Sequence, residues 1–169
     1  MSFNDRGKSW QGGGKPQHSG QVQEAGPSED MKKLLATVDL AAPGSELFDG
    51  TAEAVAVEIA KSARSGKKEK NKSSQLRRFY DEIVMWDQRI RQLKEDERAK
   101  VYGTQYLPLI KMLNAKAAYA ESRELVDQNF VAMLRRGLSQ LTPDRPEVFQ
   151  NFKLFMEAFM GFYKLHGPK

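Results

Sequence analysis

The sequence predicts an all-α bundle of four to five helices, and two observations predict it. Apolar side chains recur at three- and four-residue spacings through most of residues 45–167. No stretch rich in Val, Ile and Thr alternates in polarity, and no Asn-Gly or Asp-Gly pair joins two such stretches into a hairpin. A length of 169 residues suits one domain with tails.

Residues 1–30 hold six of the thirteen glycines, together with Ser, Gln and Pro and almost no aliphatic side chains. Such a segment buries too little surface to offset its ordering entropy. Residues 1–44 are therefore expected to be mostly disordered tail and connector. The alternative is an arm that orders on a partner, with Trp10 as its anchor. Within the connector, Met31-Lys-Lys-Leu-Leu starts a helix and Pro43-Gly44 stops it.

The bundle proper is expected over 45–167. Thr51 is the expected N-cap of a helix over 51–64, with Glu53 in its first turn. Leu47, Phe48, Val55, Ile59 and Ala63 form its apolar stripe, and Ser65-Gly66 ends it. A helix over 73–98 follows, capped by Ser73 or Ser74. Leu76, Phe79, Tyr80, Ile83, Val84, Trp86, Ile90 and Leu93 supply its buried face. Its charged end at 94–100 is expected to fray, and Gly103 to break the chain. Two further helices are expected within 104–140, with Pro108 in a first turn. Asp144 is the expected cap of the last helix, 146–165, with Pro146 in its first turn. Val148, Phe149, Phe152, Phe155, Met156, Phe159, Met160, Phe162, Tyr163 and Leu165 make that helix apolar nearly all round, which predicts a central, buried position.

Composition excludes several chemistries. The chain has no Cys, so disulfides, thiolate metal sites and Cys nucleophiles are ruled out. Its two histidines, His18 and His166, lie near opposite ends, which argues against a His metal cluster or relay. His166 is read as a helix C-terminal residue favoured by the dipole. The Gly12-Gly-Gly-Lys15 run lacks the spacing of a phosphate loop. No Glu-x-x-His pair is present. No catalytic residue, metal or cofactor is expected. No apolar run spans a bilayer, and the N-terminus lacks a signal-peptide core. A cytoplasmic location without membrane contact is the expectation.

The charge is uneven. The net charge is +5 and the pI about 9.4. Residues 61–78 carry eight basic side chains against Glu69, a net of +7. A local field of that size favours polyanions. Arg77 and Arg78 fall in the first turn of a helix, where cations oppose the dipole; a solvated basic face and a phosphate contact are both open readings. Lys116 and Arg123 are seven residues apart and project from nearly one face, with Tyr119 between them. Basic groups with an aromatic suit RNA. The plainer reading puts Tyr119 in the core and pairs the charges with Glu121 and Asp127. Arg135-Arg136 complements a helix C-terminus.

Three blocks then carry a resemblance. Ser73-Ser-Gln-Leu-Arg-Arg-Phe79 resembles a (Thr/Ser)-Ser-x-(Leu/Ile)-Arg segment of the small helical subunit of type III-A CRISPR effector (Csm) complexes. Leu113-Asn-Ala-Lys-Ala-Ala-Tyr-Ala-Glu-Ser-Arg123 is similar to that family's second block, with Ser122 where the family has Gly. Phe152 to Gly167, containing Met-Glu-Ala and Phe-Tyr-Lys, is similar to its C-terminal block. The resemblance implies a non-catalytic RNA-binding structural subunit in antiviral defence. It implies self-association of several copies, contact with the backbone and large subunits, and sequence-independent phosphate contacts to CRISPR guide and target RNA. On that reading Arg77, Arg78, Lys116 and Arg123, with Lys111 as a fifth, are the RNA-binding residues. The alternatives are a helical protein-interaction module without nucleic acid, or a small subunit of another CRISPR class.

Overall fold

A computed structural model describes residues 26–65 and 68–168 and, among them, shows helices and no strand. The helices are α1 (Glu29–Ala36), α2 (Ala52–Arg64), α3 (Ser73–Arg91), α4 (Glu95–Val101), α5 (Leu107–Lys111), α6 (Leu113–Ser122), α7 (Gln128–Ser139) and α8 (Pro146–His166). The five of these within 45–167 that run to ten residues or more are α2, α3, α6, α7 and α8, as the periodicity predicts. The Gly-rich segment with Phe3, Trp10, His18 and the Gly12–Lys15 run lies outside the described residues.

The last helix holds the centre. α8 packs against both α2 and α3. Phe149, Phe152, Phe155, Met156, Phe159 and Tyr163 are buried along it, none more than 1% exposed. Fully burying one such side chain is worth about 1.5–3 kcal/mol, so these side chains make α8 a major contributor to the core. Its aromatic rings meet neighbours edge-on or tilted, as in Phe149–Phe152 at 6.2 Å and Phe130–Phe159 at 6.4 Å, while Phe159 stacks on Tyr163 at 5.5 Å. α7 approaches α8 closely at Gly137. A Cβ there would lie 2.3 Å from Phe152 Cε2, so only glycine seats the ring.

The connector before residue 45 is packed, not loose. Met31, Leu35, Val38 and Leu40 are buried in the same core as α8. Ser28 caps α1 through the Met31 N–H at 3.2 Å. The body then grips the backbone of this segment. Arg136 donates to Leu35 O (3.1 Å) and Val38 O (2.9 Å), Asn151 to Leu40 O (2.9 Å), and the Leu40 N–H donates to Gln140 (2.7 Å). Arg136 thus satisfies carbonyls at the C-terminal end of α1, not of its own helix. A short amphipathic segment inside a polar region gave too weak a period to separate from a linker.

Several expected boundaries move by local chemistry. α3 begins at Ser73 with Lys72 as its N-cap and no side-chain cap, so neither serine caps it. α8 starts behind Arg145, with Pro146 at the first position as expected, but Asp144 does not cap it. Thr51 already has helical dihedrals, because a π turn over Leu47–Thr51 leads into α2. Gly103 does not end the helical run; it sits inside a second π turn, Tyr102–Tyr106, which joins α4 to α5. A Cβ at Gly103 would lie 2.5 Å from Pro143 O, so glycine admits the 142–146 turn there. The 95–101 segment is helical and not frayed.

Candidate nucleic-acid interface

Two antiparallel stretches frame the basic face. At one end, the Asn71 N–H donates to Leu125 O (2.9 Å), and Lys68 and Lys70 flank Glu124 at 3.4 and 3.9 Å. At the other, Lys116 on α6 meets both carboxylate oxygens of Glu82 on α3, at 2.7 and 2.8 Å. Residue 71 therefore lies by 125 and residue 82 by 116, so the N-terminal part of α3 runs alongside α6 in the opposite direction.

Asn71 holds that frame. It is fully buried with φ 55°, a left-handed conformation that Asn tolerates better than most residues. Its side-chain carbonyl accepts from the Asp127 N–H (2.9 Å), and its backbone carbonyl accepts from Tyr163 Oη (2.7 Å). Asp127 caps α7 through the Phe130 N–H at 2.9 Å and also accepts from Ser62. In the sequence, a lone Asn inside a lysine run is the signal that marks such a turn. Glu124, φ 56°, makes the matching reversal after α6.

The five sequence candidates separate into three environments. Arg78, Lys116 and Arg123 belong to the α3–α6 side. Arg78 is exposed one helical turn before Glu82, and no carboxylate partner is found for it among the described residues. Arg123 is exposed at the end of α6, where its guanidinium donates to Tyr119 Oη (3.1 Å) and lies 5.9 Å from that ring's centre. From Lys116 to Arg123, the C-cap of α6, the helix advances about 10 Å at ~1.5 Å per residue.

Arg77 faces elsewhere. It pairs with Asp81 (3.2 Å) and lines a groove between α3 and α8 with Tyr80, Met160, Gly161 and Lys164. Lys111 turns inward. Its ammonium donates to Leu138 O at the C-terminal end of α7, and burial lowers its pKa. It acts as a helix cap, in the way cations favour a C-terminus, and is half-buried instead of presented to solvent.

The plainer reading of Tyr119 does not hold. The side chain is 63% exposed, not core. Lys116 pairs with Glu82, and Asp127 is spent on the α7 cap. His166, in the last turn of α8, contacts Glu53 at 2.9 Å, while Arg64 donates to the carbonyls of His166 and Gly167. These contacts tie the C-terminus of α8 to α2. Among the described residues no group of His, Asp and Glu is placed to hold a metal, and no helix is long and apolar enough to cross a membrane.

The fold and this face define a small all-α protein with cations aligned along one helix pair. A family model described as Csm2 Type III-A matches residues 50–169. The chain belongs to that family, the small Csm subunits of the type III-A CRISPR complex. All three sequence blocks fall inside the matched segment, and α1 precedes it. No curated protein and no solved structure matches the chain.

Proposed function

We propose that this chain is a non-catalytic, RNA-binding structural subunit of the type III-A complex, acting in antiviral defence in the cytoplasm. Arg78, Lys116 and Arg123 dock the phosphate backbone of the guide or target RNA. The observation that carries the reading is the shared α3–α6 face, with two guanidiniums for which no carboxylate partner is found among the described residues. Phosphate contacts carry no sequence information, which suits a subunit that serves any guide. Few cations per copy bind weakly alone and gain from repetition along one RNA, so several copies side by side, next to the backbone and large subunits, are part of the proposal. Arg77 and Lys164 edge a separate groove and are secondary contacts. Lys111 is assigned to the α7 cap.

Arg78→Gln with Arg123→Gln tests this. Each lost phosphate contact lowers the salt slope of single-strand binding by about 0.7. The double variant is expected to flatten the slope by about 1.4 in a fluorescence-anisotropy titration, with circular dichroism unchanged. An unaltered slope rejects the assignment. The rival reading, a protein-docking module, draws on exposed Leu109, Met112 and Leu165. It predicts no salt-dependent RNA binding at all.

A further inference from the structure

We infer that Tyr119 stacks on an unpaired RNA base; this rests on the RNA-binding reading above and adds a contact that phosphate docking does not include. Tyr119 is the exposed aromatic side chain among the described residues; every other described Phe, Tyr and Trp is buried or half-buried. The ring does not sit in an apolar patch. Its neighbours on the helix surface at three and four positions are exposed Ala115, Lys116, Ser122 and Arg123. A protein partner would seat such a ring in an apolar surround with a polar rim, whereas here cations stand directly before and after it.

The geometry fits a base better. Arg123 binds the phenol oxygen at 3.1 Å and leans over the ring with its guanidinium 5.9 Å from the centre. That contact fixes the ring's direction while leaving most of its surface to solvent. Lys116, one turn earlier, is anchored on Glu82. A strand whose phosphates follow Lys116 and Arg123 passes the ring between them. Aromatic rings accept any base by its π face, so stacking keeps the sequence tolerance that phosphate docking requires. An A-form duplex hides its base faces, so the base engaged is a single-stranded or everted one.

The test separates stacking from charge. The full chain is titrated at several salt concentrations with a single-stranded RNA and with the same backbone carrying abasic sites. Tyr119→Ala is expected to weaken RNA binding about tenfold at every salt, with the slope unchanged. It is also expected to bind the abasic strand as the unaltered chain does. Tyr119→Phe keeps the ring and is expected to bind within about twofold of the unaltered chain. Equal RNA binding by Tyr119→Ala and the unaltered chain overturns the inference alone. Loss of partner subunits from Tyr119→Ala, with RNA binding intact, overturns it in favour of a protein contact. Absence of salt-dependent RNA binding by the unaltered chain overturns this inference and the proposed function together.

Discussion

Two buried tyrosines show how a single hydroxyl decides a residue's contribution. Tyr163 and Tyr102 are both fully buried, and burial pushes both phenols well above the usual tyrosine range. Tyr163 Oη donates to Asn71 O at 2.7 Å, whereas Tyr102 Oη finds no partner among the described residues. A buried hydroxyl with a partner contributes about 1 kcal/mol, and one without costs about as much or more. Tyr163→Phe should therefore lose about 1 kcal/mol in urea denaturation at neutral pH, and Tyr102→Phe should gain about that much. The pH dependence has the same origin. A folded pKa raised above the unfolded value gives stability that is fully present below about pH 10, the ordinary tyrosine value, and is lost as pH rises beyond it. Either substitution should make that alkaline loss shallower. None of this was visible from residue types, because Tyr102 and Tyr163 look alike in sequence; only the position of Asn71 separates them.

At the scale of elements, glycine at 137 trades helix propensity for packing. Alanine is favoured over glycine inside a helix by about 1 kcal/mol. Here the added methyl would stand 2.3 Å from Phe152 Cε2 and 2.6 Å from Cδ2. Phe152 is itself fully buried with Phe149 6.2 Å away, so the ring has little room to retreat. Overpacking of this kind costs about 1–3 kcal/mol or more, and the clash outweighs the propensity. Gly137→Ala should lower the melting temperature by several degrees in thermal circular dichroism; a rise would show that α7 and α8 separate freely. The periods of α2, α3, α7 and α8 were readable because one face of each is buried against a larger core. Their starts were not. Ser73 and Ser74 look like caps, yet the chain enters α3 through Asn71 and Lys72 in a geometry fixed by Leu125 and Asp127, far away in sequence.

Over the whole molecule, the core extends beyond the segment that the family model matches. Met31, Leu35, Val38 and Leu40 are buried, though they precede residue 50. A chain starting at residue 45 should therefore expose apolar surface on the body, bind a hydrophobic dye, and melt at lower temperature than one starting at residue 26. Equal melting would show that α1 adds nothing to the fold. The basic face was partly legible in the same way. Lys116 and Arg123 share a face because their helical spacing says so. That Arg78 joins them while Arg77 does not depends on how α3 lies between α6 and α8, which no spacing within α3 reveals. Lys111 looked like the other cations until the end of α7 arrived beside it.

The grip on α1 has a consequence for how this protein drifts in sequence. Arg136, Gln140 and Asn151 bind main-chain atoms of the segment and ignore its side chains. Beyond the Ser28 cap, the constraint falls on the inward positions Met31, Leu35, Val38 and Leu40, which need only be apolar and of similar size. Substitution at exposed positions such as Lys33 and Ala36 should leave the segment seated. A strap held in this way lets its outer surface be rewritten while the bundle beneath stays fixed.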